Sequence, residues 1–268
     1  MTILVNGQKT DTINITDRGL NYGDGLFETM RVQNEQVRLL DDHIERLLKG
    51  CERLGFEPPA NVSDEVRAAA AEQEQGIVKL IVTRGSGGRG YRPQVGLNAT
   101  RILMTSPLSP EPDILAKSGG IRAGLSSVRL ARQPSLAGIK HLNRLEQVLA
   151  AREAGEYEER IMLDTDGNVI EGIAMNLFLV RDGALVTPDM TAAGVAGIMR
   201  RQVMELAQNS GIACIERAVQ PAELDDADEA FMCNAVRGIW PLIAIQGRSL
   251  PVGPLTRRVV AALGEIWP

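Results

Sequence analysis

The sequence has little of what several kinds of functional site require. It contains three cysteines and two histidines in 268 residues. Three widely spaced cysteines predict neither a disulfide framework nor a zinc ligand set, and two histidines are too few for a histidine-rich centre, so we expect no metal site. The formal net charge is -5, and the basic residues are dispersed. This charge argues against a nucleic-acid partner.

Long apolar runs are missing as well. The first residues, MTILVNG, have no basic region and no extended apolar stretch, so we expect no signal peptide and no membrane span. The expected location is a reducing cytoplasm. Apolar residues make up 44% of the chain and charged residues 24%, which is ordinary for a globular protein. A chain of this length suits two compact domains.

A proline-rich segment marks the expected domain boundary. The run PLSPEPD at residues 107–113 contains three prolines, which cannot continue a helix or a central strand. We therefore predict an N-terminal domain over residues 1–106, a linker over residues 107–118 and a C-terminal domain over residues 119–268.

The first half of the sequence predicts an α+β domain with a largely antiparallel sheet. A helix is predicted from an N-cap at Asp41 to Gly55, because apolar residues recur on one face, and a second helix from Ser63. The predicted strands cover residues 3–5, 12–15, 26–32, 37–39, 77–83 and 101–105.

The second half predicts a mixture of strands and helices. Predicted helices cover residues 141–154, 197–209 and 255–263. The first of these would place Leu142, Leu145, Val148 and Leu149 on one apolar face. Predicted strands cover residues 120–128, 160–163, 169–170, 176–180, 184–187 and 230–233.

Three features of this half could carry chemistry, although each also has an ordinary structural explanation. Lys140 stands just before a predicted helix, where a cation is mildly unfavourable, but it could be a solvated lysine. Glu171 follows two apolar residues and could face a buried cation or simply end a strand. The segment GVAGIMR at residues 194–200 could bind phosphate at a helix start, or be an ordinary helix start.

These features belong to one longer pattern. The segments EGIAMNLF at residues 171–178, LVT at 185–187 and VAGIMR at 195–200 resemble the signature of the class IV aminotransferase family. The resemblance extends to YGDGLFET at 22–29 and HIER at 43–46. It implies a two-domain fold-type IV enzyme of the branched-chain-transaminase or D-amino-acid-aminotransferase type. The smaller N-terminal domain would be α+β, and the larger C-terminal domain mixed α/β.

The resemblance also implies the cofactor pyridoxal 5'-phosphate (PLP) and a homodimer. In this family a lysine about thirty residues before the glutamate binds PLP covalently, and Lys140 fits that spacing. Glu171 would keep the pyridine nitrogen protonated, so that the ring can take up electrons. The residues implied at the phosphate are Arg46, Gly197, Ile198, Asn234 and Ala235.

Two segments resemble one branch of this family, the 4-amino-4-deoxychorismate lyases. They are RGSGGRGYR at residues 84–92 and KHLNRLEQ at residues 140–147, and the Gly-Asn-Tyr run usual after the lysine of branched-chain transaminases is absent. The lyase substrate carries two carboxylates, which arginines can bind. The candidate substrate residues are Arg84, Arg89, Tyr91, Arg92 and Asn143.

Two alternatives remain beside a lyase that forms 4-aminobenzoate and pyruvate for folate synthesis. A D-amino-acid or branched-chain-type transaminase would share all the cofactor residues. A nucleotide-binding module is suggested by residues 85–90, which fit G-x-G-x-x-G after a strand. That motif requires a helix directly after it, and Pro93 argues against one.

Overall fold

The computed structural model describes residues 1–109, 117–153 and 155–266. It divides into two compact units. The first comprises Met1–Ser109 together with Ile139–Asn143, and the second comprises Pro110–Gly138 and Arg144–Pro268. The proline-rich run at residues 107–113 lies largely outside the described residues. The short segment Ile139–Asn143 joins the first unit although the chain position alone would assign it to the second.

The first unit is built on a six-stranded sheet in which every pairing is antiparallel, as predicted for this half. The strand order is β2-β1-β6-β5-β3-β4. The strands are β1 (Ile3–Val5), β2 (Gln8–Lys9), β3 (Gly25–Gln33), β4 (Gln36–Val37), β5 (Gln75–Thr83) and β6 (Thr100–Ser106).

The strand predicted over residues 12–15 is wrong. Asn14 Oδ1 accepts hydrogen bonds from the backbone N–H of Thr16 at 2.9 Å and from its hydroxyl at 2.8 Å. These local side-chain bonds fold the chain into a turn in place of a sheet ladder. The short helix α1 (Arg18–Tyr22) follows, and its N-cap Asp17 accepts from the backbone N–H of Gly19.

Two longer helices complete the first unit, α2 (Leu40–Leu54) and α3 (Val62–Ala70). The predicted N-cap of α2 at Asp41 is wrong, because the helix already begins at Leu40 and Asp41 lies in its first turn. Its predicted end is confirmed at Gly55, which adopts φ +70 and bonds the last carbonyls.

The second unit contains a mixed sheet of nine strands. They are β7 (Ile121–Leu130), β8 (Glu159–Asp164), β9 (Val169–Gly172), β10 (Asn176–Arg181), β11 (Ala184–Pro188), β12 (Cys214–Arg217), β13 (Glu229–Asn234), β14 (Gly238–Ile245) and β15 (Arg248–Ser249). The order is β12-β11-β10-β13-β14-β7-β8-β9, with β15 beside β14. Because Glu171 of β9 also pairs with Asn176 of β10, six of the strands close into a ring.

The second unit contains the helices α4 (Leu145–Ala151), α5 (Ile198–Asn209) and α6 (Pro254–Ile266), together with the 3-10 turn Pro221–Leu224. The helix predicted from residue 141 is wrong at its start, because Lys140 and Leu142 form backbone hydrogen bonds with β3 in the first unit, and the helix begins only at Leu145. Its predicted end at Ala154 lies outside the described residues. The residues predicted as its apolar face are exposed: Leu145 by 75%, Val148 by 52% and Leu149 by 50%.

The strands beside Glu171 are buried on both faces. Ile161 of β8 and Val169 of β9 join one apolar cluster with Leu177 and Leu242. Met162 and Ile170, the next residues along the same strands, join a second cluster on the opposite face. This alternation follows from the two-residue period of a strand. It holds β9 firmly between two packed layers.

Two further observations concern the predicted glycine motif and the expectation of no membrane span. No helix follows the glycine motif at residues 85–90, so the context required of a dinucleotide-binding fingerprint is missing there. No helix in the described part of the chain is long and apolar enough to cross a membrane.

Candidate active site

Lys140 lies on a segment that is joined to β3 by an isolated antiparallel bridge between His141 and Leu26. The N–H of Phe27 donates to the Lys140 carbonyl at 2.9 Å, and the N–H of Leu142 donates to the Gly25 carbonyl at 3.0 Å. The Nζ atom of Lys140 lies 4.6 Å from the centroid of the Phe27 ring. A Cβ on Gly25 would lie 2.5 Å from the Val82 carbonyl oxygen, so a side chain there would push β3 and β5 apart.

A buried carboxylate stands next to Phe27 on the same strand. Glu28 accepts from Arg46 through two contacts, Nε to Oε1 at 2.8 Å and Nη2 to Oε2 at 2.5 Å. Nδ1 of His43 lies 2.6 Å from Glu28 Oε2. Burial opposes ionisation of this carboxyl, but the charge of Arg46 and the bond to His43 outweigh it and lower the pKa of Glu28 to about 2. Burial lowers the pKa of His43 and so favours its neutral form, although the neighbouring Glu28 opposes this shift.

The contact with Glu28 determines how Arg46 is presented. A guanidinium has five N–H donors in a planar fork, and Glu28 takes two of them. The plane of the group is therefore fixed from one side. A fixed, partly buried guanidinium is chemically suited to a phosphate dianion.

Glu171 lies in the second unit, where β9 pairs with β10. Its side chain is 5% exposed. Its Oε2 accepts from the backbone N–H of Val195 at 2.9 Å. The neighbouring Gly194 has φ +81, and a Cβ on it would lie 2.6 Å from Ile170 Cγ2. The glycine thus lets the loop before α5 pass close to Glu171.

Gly197 and Ile198 form the start of α5. Gly197 is the N-cap residue and supplies no side-chain cap to the first turn. A Cβ on it would lie 1.9 Å from Asn176 Oδ1, so only glycine fits beside that amide. Asn176 also donates from Nδ2 to the Val195 carbonyl at 3.0 Å. The first turn of a twelve-residue helix presents backbone N–H groups and the positive end of its dipole, which suits an anion.

Arg200, in the same segment, has a structural role. Its Nε donates to the Thr187 hydroxyl at 3.1 Å, and its Nη2 donates to the Pro188 carbonyl at 2.8 Å and to Glu216 at 2.7 Å. These bonds tie α5 to β11 and β12.

Asn234 ends β13 and holds two loops together. Its Oδ1 accepts from the N–H groups of Val236 at 3.0 Å and Arg237 at 2.8 Å, and its Nδ2 donates to the Ala174 carbonyl at 3.1 Å. Ala235 follows in the same turn. Asn234 is therefore a side chain that shapes the loops, and backbone amides in this turn remain the groups suited to a phosphate.

The structure brings several predicted residues together within each unit. In the second unit, Asn176 pairs with both Glu171 and Cys233, so Glu171, the start of α5 and Asn234 lie together at one end of the strand ring. In the first unit, Lys140 and Glu28 flank the same strand residue, Phe27. The second unit carries a buried carboxylate and a helix N-terminus without a side-chain cap, which suit the pyridine nitrogen and the phosphate of PLP, and the first unit carries a lysine that suits its aldehyde. The residues of each unit therefore fit that cofactor.

The segment RGSGGRGYR at residues 84–92, called the arginine loop below, follows β5 directly and forms the first part of the connection to β6. Its first residue, Arg84, is bound within the first unit. Nε and Nη2 of Arg84 donate to Asp24 at 2.7 and 3.1 Å, and two further donors bind the carbonyls of Leu54 and Gly55 at 2.6 and 2.7 Å. These bonds favour a structural role for Arg84 over the expected contact with substrate.

The other arginine-loop candidates are presented differently. Arg89 and Arg92 are exposed, and no described residue forms a hydrogen bond or an ion pair with either side chain. Tyr91 is 88% exposed. Asn143 donates from Nδ2 to the Gly23 carbonyl at 3.4 Å, a long bond that ties its segment to the turn before β3.

Some of the residues that shape the site were not identified from the sequence. Glu28 and His43 position Arg46, and Asn176 packs against Gly197. A signal for Glu28 was present, because it shares the inward face of its strand with Leu26 and Met30 and so had to be buried. A buried carboxylate demands a cation.

No group of three or more metal-ligating side chains is placed to hold an ion in the described ranges 1–109, 117–153 and 155–266. The three cysteines, Cys51, Cys214 and Cys233, are free thiols. Burial raises the pKa of Cys51 and that of Cys233 to about 12, so both remain protonated.

Comparison with known proteins gives consistent matches over most of the chain. The family described as amino-transferase class IV matches residues 25–245. An aminodeoxychorismate lyase from Vibrio harveyi is 34% identical over 264 residues, covering 95% of this chain and 97% of that protein. A D-alanine aminotransferase from Bacillus licheniformis is 30% identical over 278 residues, covering 98% of this chain and 96% of that protein.

One solved structure is similar over nearly its full length. The crystal structure of 4-amino-4-deoxychorismate lyase from Pseudomonas aeruginosa has a TM-score of 0.94 and 45% sequence identity, and the match covers 98% of each chain. The present chain therefore has the fold-type IV arrangement of sheets and helices that the family resemblance implied.

Proposed function

The chain belongs to the class IV aminotransferase family of PLP-dependent enzymes, and we propose that its reaction is the conversion of 4-amino-4-deoxychorismate to 4-aminobenzoate and pyruvate, which serves folate synthesis. The observation that carries this proposal is the arginine loop. Arg89 and Arg92 are exposed guanidinium groups on a loop whose backbone is held in place. Each of the two substrate carboxylates can pair with one such group. The similarity to lyases at 45% and 34% identity supports the same choice.

The cofactor roles follow the family pattern. Lys140 would bind PLP covalently and then act as the acid and base at the substrate carbon. Glu171, a carboxylate buried at the closure of the strand ring, would hold the proton on the pyridine nitrogen. When bound, PLP supplies an electron sink for the bond-breaking step.

The phosphate would be held by a cation and by backbone amides. Arg46 supplies the cation, oriented by Glu28. The amides of Gly197 and Ile198 lie at the start of α5, that of Asn234 lies at the end of β13, and that of Ala235 lies in the turn that follows. The uncapped helix start supports this assignment, because its N–H groups need an acceptor.

The reaction has a favourable direction. Lys140 takes the proton from the ring carbon that bears the amine. The ether bond on the adjacent ring carbon then breaks, and its electron pair leaves with the oxygen as the enolate of pyruvate, which takes up a proton on its methylene carbon to become pyruvate. The ring becomes aromatic, which makes the elimination strongly favoured over returning a proton to the substrate.

An assay without an amino acceptor tests this function. Purified holoenzyme supplied with 4-amino-4-deoxychorismate should release pyruvate and 4-aminobenzoate in equal amounts with no α-keto acid present. A D-amino-acid transaminase, the alternative supported by the 30% identical relative, would need the keto acid. Efficient transamination of D- or branched-chain amino acids with no lyase turnover would contradict the proposal.

Variants of the arginine loop test whether Arg89 and Arg92 bind the substrate carboxylates. Replacing Arg89 or Arg92 with Gln should raise KM by about 10- to 150-fold, the range of one charged hydrogen bond, and leave the PLP spectrum intact. Arg84→Gln is the contrasting variant, because its bonds to Asp24 and Leu54 are internal. We expect it to lower thermal stability. If the Arg89 and Arg92 variants bind substrate normally, the two arginines are ordinary solvated side chains that do not contact the substrate.

We further propose that the active species is a homodimer. The apolar face of α4, formed by Leu145, Val148 and Leu149, is exposed on the single chain by half or more. Three large apolar side chains on one short helix are costly to expose to water and indicate a protein interface. A second copy of the chain is the partner that the family implies.

Free thiols support a reducing compartment such as the cytoplasm.

A further inference from the structure

The tip of the arginine loop is tied down by two side chains of α1. Arg18 donates from Nη1 to the Gly90 carbonyl at 3.1 Å and from Nη2 to the Tyr91 carbonyl at 2.8 Å. The hydroxyl of Tyr22 accepts from the Gly90 N–H at 3.1 Å. The two tyrosine rings, Tyr22 and Tyr91, meet edge to face at 5.7 Å.

We propose that Arg18 and Tyr22 are positioning residues for substrate binding: they hold the loop tip so that Arg89 and Arg92 meet the substrate carboxylates. This inference rests on the proposed function for the role of the loop. The anchoring itself does not depend on the reaction. Neither side chain needs to touch the substrate.

The geometry separates Arg18 from the arginines it would position. Its side chain is 3% exposed, and its Nε donates to Asp24 at 2.8 Å. The Arg18 guanidinium also lies 4.7 Å from the Tyr22 ring centroid. A cation buried, paired and stacked in this way is not presented to an anionic ligand from solvent. Its remaining donors are directed at the loop backbone, so it acts through the loop.

The loop turns its backbone inwards and its side chains outwards. The carbonyls of Gly90 and Tyr91 face the buried Arg18, whereas Arg89, Tyr91 and Arg92 are exposed. Gly90 has φ +75, a conformation that suits glycine and lets its N–H and carbonyl both face the anchor. A lysine could not replace Arg18, because one ammonium on a flexible stem does not match two carbonyls and a carboxylate at once.

The base of the loop is held independently of these side chains. The backbone N–H of Arg18 donates to the Gly85 carbonyl at 2.9 Å, and the Gly87 N–H donates to the Thr16 carbonyl at 3.4 Å. Loss of the Arg18 or Tyr22 side-chain bonds would therefore free the tip while the base stays attached. The expected consequence is a mobile pair of arginines, which binds substrate more weakly without changing the cofactor.

Limited trypsin digestion of the holoenzyme tests the anchor without using the reaction. The Arg89–Gly90 bond is the cleavage site in the tip, because the bond after Arg92 precedes Pro93 and resists trypsin. The anchor holds both the N–H and the carbonyl of Gly90, so cleavage requires the tip to open. Tyr22→Phe removes one hydrogen bond and should speed this cleavage about five-fold, and Arg18→Lys should speed it more than ten-fold. Tyr157→Phe, a tyrosine of the second unit, is the matched control and should leave the rate unchanged.

Kinetics of the same variants test the positioning role. Tyr22→Phe should raise KM for 4-amino-4-deoxychorismate about five-fold while kcat stays within about two-fold and the PLP absorption spectrum is unchanged. Unchanged trypsin cleavage in both Tyr22→Phe and Arg18→Lys would overturn the anchor. Faster cleavage with an unchanged KM would overturn the positioning role. If the unmodified enzyme had no lyase turnover, the proposed function would fail, and the digestion would still decide whether the loop is anchored. Should Arg18→Lys fail to fold, Tyr22→Phe carries the test.

Discussion

Arg46 and Glu28 form a two-armed contact inside the first unit, with Nε to Oε1 at 2.8 Å and Nη2 to Oε2 at 2.5 Å. Glu28 lies on β3 and Arg46 on α2, so the pair ties a helix to the sheet. Glu28 is 1% exposed, and leaving either charge without the other inside the protein would be costly. The contact therefore stabilises the fold and at the same time orients Arg46.

We expect Glu28 to make stability depend on acid pH. The pKa of Glu28 falls from 4.5 in the unfolded chain to about 2 in the folded protein. As the pH is lowered, the unfolded chain therefore takes up this proton before the folded protein does. At its full size, above pH 4.5, the ionised carboxylate stabilises the fold by roughly 3 kcal/mol. This stabilisation is lost as the pH falls from 4.5 to about 2. The difference in unfolding free energy between the unmodified protein and Glu28→Gln, measured by urea titration from pH 6 down, should shrink across this interval. Glu52→Gln, exposed on α2, is the control. A difference that does not vary with pH would contradict the prediction.

Arg46→Ala should weaken PLP affinity far more than it slows the cofactor-saturated enzyme. Loss of one charged hydrogen bond to phosphate corresponds to about 10- to 150-fold in Kd. Titration of the apoenzyme with PLP measures this directly. Arg53→Ala, two turns further along α2, should leave the affinity unchanged. Unaltered PLP affinity in Arg46→Ala would assign the guanidinium to the fold alone.

Lys140 should be the residue that PLP labels. Borohydride reduction of the holoenzyme followed by peptide mapping should find the cofactor on Lys140, and Lys140→Ala should abolish both the visible absorption band and turnover. Lys79 is a demanding control, because its Nζ lies 5.5 Å from the same Phe27 ring that Lys140 approaches at 4.6 Å. Lys79→Ala should keep the band. Label on Lys79 would refute the assignment of Lys140.

Glu171→Gln keeps the shape of the side chain and removes its charge. The amide oxygen can still accept the Val195 N–H, so the loop before α5 should stay in place. We expect PLP to bind and turnover to fall by orders of magnitude, because the pyridine nitrogen loses the anion that keeps it protonated. Steady-state kinetics at saturating PLP, together with a melting curve, check this. Near-normal turnover would mean that Glu171 serves the fold only.

The exposed face of α4 should form the dimer contact. A glutamate at Leu149 would place an unpaired charge in that contact, and the mass measured by light scattering after size exclusion should drop from two chains to one. Val260→Glu on α6 is the matched control, because Val260 is also exposed, by 39%, but lies on a different helix. A Leu149→Glu protein that remains dimeric would show that the interface lies elsewhere.

Much of the local structure could be predicted from the sequence. The strands predicted over residues 26–32, 77–83 and 101–105 correspond to β3, β5 and β6, and the helical period together with Gly55 predicted where α2 ends. These features depend on neighbours within a few residues, whose steric and hydrogen-bonding preferences act wherever the segment lies. The family signature around Glu171 and VAGIMR likewise predicted the fold and the cofactor, because that pattern spans several elements at once.

Only the tertiary structure decided which of these residues have partners far away in the chain. The helical period that includes Leu142 predicts a helix from residue 141, yet the helix begins only at Leu145, because β3 offers Lys140 and Leu142 backbone hydrogen bonds that no local pattern encodes. The same holds for charge. The sequence presents Arg84, Arg89 and Arg92 as equivalent cations, whereas Asp24 and two carbonyls bind Arg84. Spacing along the chain carries no information about such partners, because they are brought together only when distant strands and helices pack.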